Sequence, residues 1–157
     1  MWNGNTGYPI IDACVRQLNQ TGWMHNRGRL ATANFSIKIL HLGMESGQER
    51  FSKQLLDCCY ANNFGNWMWI LGPNDPGGFR YGKKGTFSGR IFREAVTPKK
   101  IDPDLKFIRK FVPELKDVPD QHVAKWHVHY KKYPKITYTP IVDFDKELQT
   151  WYKMTKK

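Results

Sequence analysis

An amide and a guanidinium lie where the apolar stripe of a predicted helix should continue. Leu30, Ala33 and Ile37 recur at helical spacing. Asn26 lies one turn before Leu30, and Arg29 follows Asn26 by three residues on the same side. Burying either polar group without a partner would cost on the order of several kcal/mol. Two interpretations stay open: the start of this helix is exposed to water, or the two side chains bind a partner or a ligand.

Asp57 is a candidate countercharge for Arg29. It lies near the end of a third predicted helix, and adjacent antiparallel helices bring the end of one near the start of the other. The alternative is that Asp57 belongs to a solvated face with Arg50, Lys53 and Gln54.

Two indoles follow a segment of turn-forming residues. Asn62-Asn63-Phe64-Gly65-Asn66 predicts a break in the helical structure, and Trp67-Met68-Trp69 comes directly after it. Two residues that are two positions apart cannot both lie on one helical face. Tryptophan usually packs in the core, but beside asparagine and glycine a loop that lines a flat ligand is also favoured.

Other chemistries find little support in the sequence. His122, His127 and His129 with Cys58 and Cys59 match no zinc spacing, so we expect no metal site. There is no dinucleotide-binding G-x-G-x-x-G, no nucleophile elbow and no phosphate-binding P-loop. The three cysteines of the chain form no disulfide framework, which favours a reducing compartment.

Positive charge is concentrated in the second half of the 157 residues. The formal net charge is +11, and residues 76–157 carry nineteen basic against nine acidic side chains. Such a region attracts nucleic acid or, less readily, an acidic membrane surface, and interleaved aromatic rings could stack on bases. The alternative is a solvated basic face. No apolar run of about 18 residues and no signal sequence is present, so we expect a soluble intracellular protein, in the cytoplasm or the nucleus.

The predicted elements are all helical. Five segments carry apolar residues at helical spacing: 9–22, 25–42, 46–58, 102–112 and 143–153. Ser46-Gly47-Gln48-Glu49 has the pattern of a capping box that opens the third helix. Residues 73–89 contain two prolines and five glycines and predict a basic loop long enough to suggest a function. We therefore predict an all-α, multi-helical fold with long loops.

Several motifs, taken in order, resemble those of one known family. They are Trp2-Asn3-Gly4-Asn5-Thr6-Gly7-Tyr8-Pro9, Gly22-Trp23-Met24-His25-Asn26-Arg27-Gly28-Arg29, Asp57, the segment 62–69, Gly89-Arg90-Ile91-Phe92, Ile101-Asp102-Pro103-Asp104, Phe111-Val112-Pro113-Glu114-Leu115 and Pro140-Ile141-Val142-Asp143. Over about residues 2–145 the chain resembles the C-terminal part of the helical FAD-binding domain of the photolyase and cryptochrome family. The resemblance implies that residues 1–157 form part of this domain.

The resemblance also implies roles for matching positions. The residues expected to bind FAD are Asn26, Arg29, Asp57 and Asn63. The residues expected to contact DNA or a flipped-out pyrimidine dimer are Arg27, Leu30, Trp69 and Arg90. Asn63 would lie beside the flavin N5, Arg29 would pair with Asp57, and Trp67 would transfer electrons to the flavin.

The implied activity is light-driven DNA repair. Electron transfer from reduced FAD would split cyclobutane pyrimidine dimers, and a damaged base pair costs less to extrude than an intact one. Asn26 resembles the cyclobutane-dimer and DASH-type branches, and Asn63 resembles photolyases rather than plant or insect photoreceptors. Trp67-Met68-Trp69 instead resembles the animal branch. The resemblance alone leaves the subtype open.

The residues that resemble the family do not include its N-terminal antenna domain or the first part of its FAD-binding domain. Lyase activity and tight FAD binding would therefore need that part, which a separate N-terminal chain could supply. Met44 stands where the family usually has a second electron-transfer tryptophan, and Cys59 replaces an aspartate near the flavin. Two alternatives are a truncated, non-catalytic DNA-binding remnant and a fragment of a cryptochrome photoreceptor.

Overall fold

Helices make up the described part of the fold. The computed structural model describes residues 1–72 and 91–155, so the predicted loop 73–89 and Arg90 lie outside the described residues. Within these ranges the α-helices are α1 Pro9–Thr21, α2 Asn26–Lys38, α3 Met44–Gln54, α4 Tyr60–Leu71, α5 Lys106–Phe111, α6 Asp120–Ala124, α7 Trp126–His129 and α8 Phe144–Thr155. No β-strand occurs in the same ranges, and the all-α prediction is confirmed.

Helix α1 has the boundaries that its sequence predicts. Pro9 lies in its first turn, where the missing N–H would have no helical partner. The buried carboxylate of Asp12 accepts hydrogen bonds from the backbone N–H groups of Thr6 and Gly7. Gly22 ends the helix in the left-handed conformation, with a φ of 68°. These contacts fix the segment before α1 against the helix itself.

The end of α2 is predicted wrongly. The helix ends at Lys38 rather than at Leu42, and His41 adopts a positive φ of 52°. The backbone N–H of Leu42 bonds back to the carbonyl of Ser36 and closes the turn. A residue other than glycine is uncommon in this conformation, so the sequence pattern carried no stop signal here.

The predicted capping box at the start of α3 does not form. The helix begins at Met44, which places Ser46 inside its first turn. The hydroxyl of Ser46 donates instead to the carbonyl of Gly43. Serine and glutamate at this spacing therefore lie within the helix rather than at its N-cap.

The segment predicted as a turn is the first half of α4. Asn62-Asn63-Phe64-Gly65-Asn66 lies inside the helix, as does Trp67-Met68-Trp69. Asparagine and glycine have weak helix propensity, but Trp67 and Ile70 are buried on α4 and their packing outweighs it. The prediction of a loop at this place is wrong, because these residues lie on a helix.

Aspartates that precede α5 and α8 accept hydrogen bonds from the first turns of these helices. The carboxylate of Asp102 accepts hydrogen bonds from the backbone N–H groups of Phe107 and Ile108. Asp143 accepts one from the N–H of Lys146. The helices α6 and α7 are short and lie between Pro119 and Pro134. Among the described helices, none is both long and apolar enough to cross a membrane.

Two groups of buried side chains form the core. The first surrounds Tyr8 and Trp126 and joins α1 to α5 and α8. The second lies between α2, α3 and α4 and includes Ile37, Phe51 and Trp67. This second group underlies the cavity described next.

Candidate functional site

A cavity of about 260 Å³ lies between α2, α3 and α4. It is lined by Asn26, Arg29, Leu30, Ala33, Phe51, Leu55, Asp57, Cys58, Cys59, Asn62, Asn63, Asn66, Trp67 and Ile70. The lining combines aromatic and aliphatic side chains with amides, a guanidinium and a carboxylate. Such a surface suits a flat ligand with apolar faces and a polar edge.

Arg29 and Asp57 form an ion pair at this cavity. One guanidinium nitrogen of Arg29, Nη2, donates to both carboxylate oxygens of Asp57, at 2.9 and 2.8 Å. Its Nε donates to the carbonyl of Met24 at 2.7 Å. The hydrogen bond from Arg29 lowers the pKa of the Asp57 carboxyl below its usual value, so this group is ionised at neutral pH. The predicted pairing is confirmed.

The Arg29–Asp57 pair contributes little to the stability of the fold. Both side chains are partly exposed, and such ion pairs are worth about 0–1 kcal/mol. Arg29 lies on α2, whereas Asp57 follows the end of α3 at Gln54. The pair thus places one positive and one negative group at the wall of the cavity where these two elements meet.

The amide of Asn63 is held in one orientation by α3. Its Nδ2 donates to the carbonyl of Gln48 and to the hydroxyl of Ser52, both at 2.9 Å. These two bonds use both amide hydrogens, so Oδ1 is the polar atom that Asn63 can still offer to a ligand. Oδ1 is a hydrogen-bond acceptor and suits an N–H group on the edge of a ligand.

Trp67 forms a buried wall of the cavity. The side chain is 1% exposed, and its ring lies 5.3 Å from that of Phe51. The outer edge of the six-membered ring lies against Gly47 in α3, where an added Cβ would lie 2.1 Å from Cη2 of Trp67. A side chain at position 47 is incompatible with this placement of the indole.

The structure brings most of the predicted site residues together. Those that line the cavity between α2, α3 and α4 are Asn26, Arg29, Leu30, Asp57, Asn63 and Trp67. Trp69 is not among the described lining residues: it is partly buried and lies 6.1 Å from the ring of Phe92. Arg27 is exposed and lines a second cavity, of about 300 Å³, with Trp23 and Phe107.

Other lining residues are not predicted from the sequence, although their spacing carries a signal. In a helix, positions 63, 66, 67 and 70 follow the i, i+3, i+4, i+7 pattern and lie on one face. Asn66 and Ile70 therefore line the cavity together with Asn63 and Trp67. The composition of this segment favoured a turn and hid the pattern.

Curated relatives of the chain are photolyases. The protein named deoxyribodipyrimidine photo-lyase from Buchnera aphidicola (subsp. Baizongia pistaciae) is 40% identical over 151 residues, which are 92% of this chain and 29% of that protein. The protein of the same name from Escherichia coli K12 is 41% identical over 126 residues, which are 78% of this chain and 25% of that protein. The chain thus spans less than a third of the length of these relatives.

Solved structures of this family share the fold. The archaeal photolyase from Sulfolobus tokodaii with two FAD molecules aligns with a TM-score of 0.80 and 34% identity, over 98% of this chain and 33% of that one. The cryptochrome from Synechocystis aligns with a TM-score of 0.81 and 29% identity, over 97% and 31%. The family described as the FAD binding domain of DNA photolyase matches residues 1–157. This chain belongs to that family.

Proposed function

We propose that this chain forms the flavin-facing part of a FAD-dependent photolyase that splits cyclobutane pyrimidine dimers in DNA. The observation that carries the proposal is that the Arg29–Asp57 pair, Asn63 and Trp67 line one cavity. FAD is the cofactor of the family to which the chain belongs.

The cavity fits the ring system of a flavin. Pockets that hold a whole drug-sized ligand measure roughly 300–1,000 Å³, whereas this one measures about 260 Å³. It therefore has room for one end of a ligand as large as FAD. The apolar walls suit the faces of the ring system, and the amides and the ion pair suit its polar edge.

Each polar group of the cavity has a role toward the flavin in this proposal. When bound, FAD would supply the electron that splits the dimer after light is absorbed. The Oδ1 atom of Asn63 would accept a hydrogen bond from the N–H at N5. Arg29 and Asp57 would supply a donor and an acceptor at the polar edge, and Asn26 would lie at the rim. Trp67 would pass electrons to the flavin through its buried indole.

DNA and its dimer are the proposed substrate. Leu30 on α2 lines the cavity and would contact the flipped-out dimer. Trp69 on α4 would also contact the dimer. Arg27 is exposed at the start of α2 and would bind a phosphate, as would Arg90. The net charge of +11 favours such phosphate contacts.

The rest of the flavin site would come from the N-terminal part of the family's fold, which the resemblance places before these residues. That part would belong either to the same chain or to a separate complementing chain. The side chains of Leu56 and Tyr60 support this proposal. They are 85% and 70% exposed and flank Asp57 and Cys59 at the cavity. A covering segment would bury this apolar surface and enclose the flavin.

Reconstitution of the flavoprotein tests the proposed function. The chain would be co-expressed with the N-terminal part of a related photolyase, purified, and mixed with an oligonucleotide that contains one thymine dimer. We expect a bound flavin spectrum and loss of the dimer under blue light but not in the dark. The Asn63→Leu variant, which removes the acceptor, should lose most of this activity, whereas Asn5→Leu, at an exposed residue outside the cavity lining, should not.

Two results would contradict the proposal. DNA binding without bound flavin would indicate a non-catalytic remnant. Bound flavin with light-dependent spectral changes but no loss of the dimer would indicate a photoreceptor of the cryptochrome type.

A further inference from the structure

The second cavity, of about 300 Å³, lies beside the first turn of α2. Arg27 lines this cavity, whereas the preceding residue, Asn26, lines the cavity proposed for the flavin. Ile10, Ile101 and Phe107 supply apolar side chains to its wall. Its volume is at the lower end of the range for small-molecule pockets, so it suits one flat ring system rather than a whole cofactor. The two cavities are thus neighbours that share the first turn of α2.

Trp23 presents a large apolar side chain to water at this second cavity. The residue is 45% exposed, although tryptophan is highly buried on average. Its backbone N–H donates to the hydroxyl of Thr21 at 3.2 Å, and its ring lies 6.2 Å from that of His25 in an edge-on arrangement. The indole is therefore held at the cavity while part of its surface stays available to a ligand.

The polar groups of the second cavity suit an anion and the edge of a ring. Among the described lining residues, Arg27 carries a positive charge and none carries a carboxylate. The Nδ1 atom of His25 accepts the backbone N–H of Arg27 at 3.1 Å, so the neutral imidazole carries its proton on Nε2 and can donate it to a ligand. Gln17 adds an amide that can both donate and accept.

Nucleic acid combines the features that this cavity selects. A nucleobase is flat, carries donors and acceptors on its edge and is linked to a phosphate. Bases stack on exposed aromatic side chains whatever the sequence, because every base has a π-face. The net charge of +11 attracts a polyanion. An apolar peptide would fill the same wall but would gain nothing from the charge of Arg27, so the lining favours a nucleotide.

We propose that the second cavity takes an unstacked nucleobase of the DNA strand next to the flipped-out dimer, an inference that rests on the proposed function above. The base stacks on the indole of Trp23, and Gln17 and His25 bind its edge. Arg27 binds the phosphate between this base and the dimer. Because Asn26 and Arg27 are consecutive residues that line the two cavities, neighbouring nucleotides of one strand can reach both.

Stacking on Trp23 offsets part of the cost of extruding the dimer. When the dimer leaves the duplex, the base beside it loses a stacking neighbour, and this loss costs free energy. The indole replaces that neighbour. Since stacking tolerates any base, the contact would work beside a dimer in any sequence.

DNA binding by Trp23 variants tests the proposal. The chain would be completed by the N-terminal part of a related photolyase, as in the reconstitution above, and titrated with a fluorescently labelled, single-stranded thymine oligonucleotide. Trp23→Ala should raise Kd by about 5- to 100-fold, the range for one lost base–aromatic stack, and Trp23→Phe should keep part of the affinity. Tyr152→Ala is the control and should bind as the wild type does, because Tyr152 is 38% exposed on α8, outside the cavity lining.

Salt dependence separates stacking from phosphate binding. Arg27→Ala should flatten the slope of log affinity against log salt concentration by about 0.7, the value for one phosphate contact of a single strand. Trp23→Ala should lower the affinity at every salt concentration and leave this slope unchanged. A flattened slope in Trp23→Ala would show that the indole only positions Arg27, and would overturn the proposal.

An oligonucleotide of the same length without bases is the matched ligand. It keeps the phosphates but cannot stack, so Trp23→Ala should bind it as tightly as the wild type does. Equal Kd values of the wild type and Trp23→Ala for the base-containing strand would refute the base site while leaving the proposed function intact. No DNA binding by the wild type would instead refute the proposed substrate, and the base site with it.

Discussion

Replacing Gly47 by alanine would push a methyl group into the wall of the cavity. A Cβ at this position would lie 2.1, 2.5 and 2.7 Å from three atoms of the Trp67 ring. The ring is rigid and is held from other sides by Phe51 and Trp2, so it cannot swing away as a flexible chain end would. Gly65 offers a matched control, because it lies inside α4 and an added Cβ there would meet nothing within 4 Å.

The two substitutions should have opposite effects on the free energy of unfolding. Alanine is favoured over glycine inside a helix by about 1 kcal/mol, which is the whole effect expected for Gly65→Ala. Overpacking a core costs about 1–3 kcal/mol, and three contacts this short place Gly47→Ala at the upper end. Subtracting the gain in propensity leaves a net loss of about 2 kcal/mol for Gly47→Ala.

Thermal unfolding followed by circular dichroism measures both effects. For a chain of this size, 1 kcal/mol corresponds to about 2–4 °C, so Gly47→Ala should lower Tm by about 4–8 °C and Gly65→Ala should raise it by about 2–4 °C. Gly47→Ala should also weaken the near-ultraviolet signal of Trp67. An equal rise of Tm in both variants would refute the packing of Trp67 against α3.

Three further substitutions test particular contacts. Asp57→Asn should change stability by less than about 1 kcal/mol, because the carboxylate is exposed, yet it should clearly weaken flavin binding in a fluorescence titration. The guanidinium of Arg16 lowers the pKa of Glu114 below its usual 4.5, so the stability from this pair is present above that pH and is lost as the pH falls through the lowered value. Glu114→Gln should therefore lower Tm at neutral pH, and its difference from the wild type should shrink as the pH falls below 4.5; a difference that stayed constant over this range would contradict the pairing. Tyr138→Phe should cost about 1.5–3 kcal/mol in urea unfolding, because the buried carboxylate of Asp12 loses a donor, and an unchanged midpoint would show that this bond contributes nothing.

Local sequence signals predict the helix boundaries that depend on the backbone conformation of a single residue. Proline in the first turn and glycine after the last turn locate α1, because both act through the backbone conformation of a single residue. The end of α2 depends on a left-handed His41, and no local rule predicts that conformation. The course of α4 depends on tertiary packing of Trp67 and Ile70, which composition does not reveal.

In the candidate site, too, some features follow from residue spacing and others depend on tertiary packing. The interrupted apolar stripe of α2 leaves open whether Asn26 and Arg29 are hydrated or partnered. The structure leaves Asn26 exposed and supplies Asp57 and the carbonyl of Met24 as partners for Arg29. The fixed amide of Asn63 depends on Gln48, which lies fifteen residues earlier on another helix. Such a contact follows from how α3 and α4 pack and could not be read from spacing along the chain.

Flavin binding by cavity variants tests the central claim most directly. Ala33 lines the cavity on α2, and Ala33→Leu would fill part of it, whereas Ala61 is exposed on α4 outside the lining and Ala61→Leu serves as the control. Flavin fluorescence would be titrated with each protein, completed by the N-terminal part of a related photolyase as in the reconstitution above, after circular dichroism has shown equal folding. We expect saturable quenching by the wild type and Ala61→Leu, and little or none by Ala33→Leu. Equal quenching by all three proteins would contradict a flavin site between α2, α3 and α4.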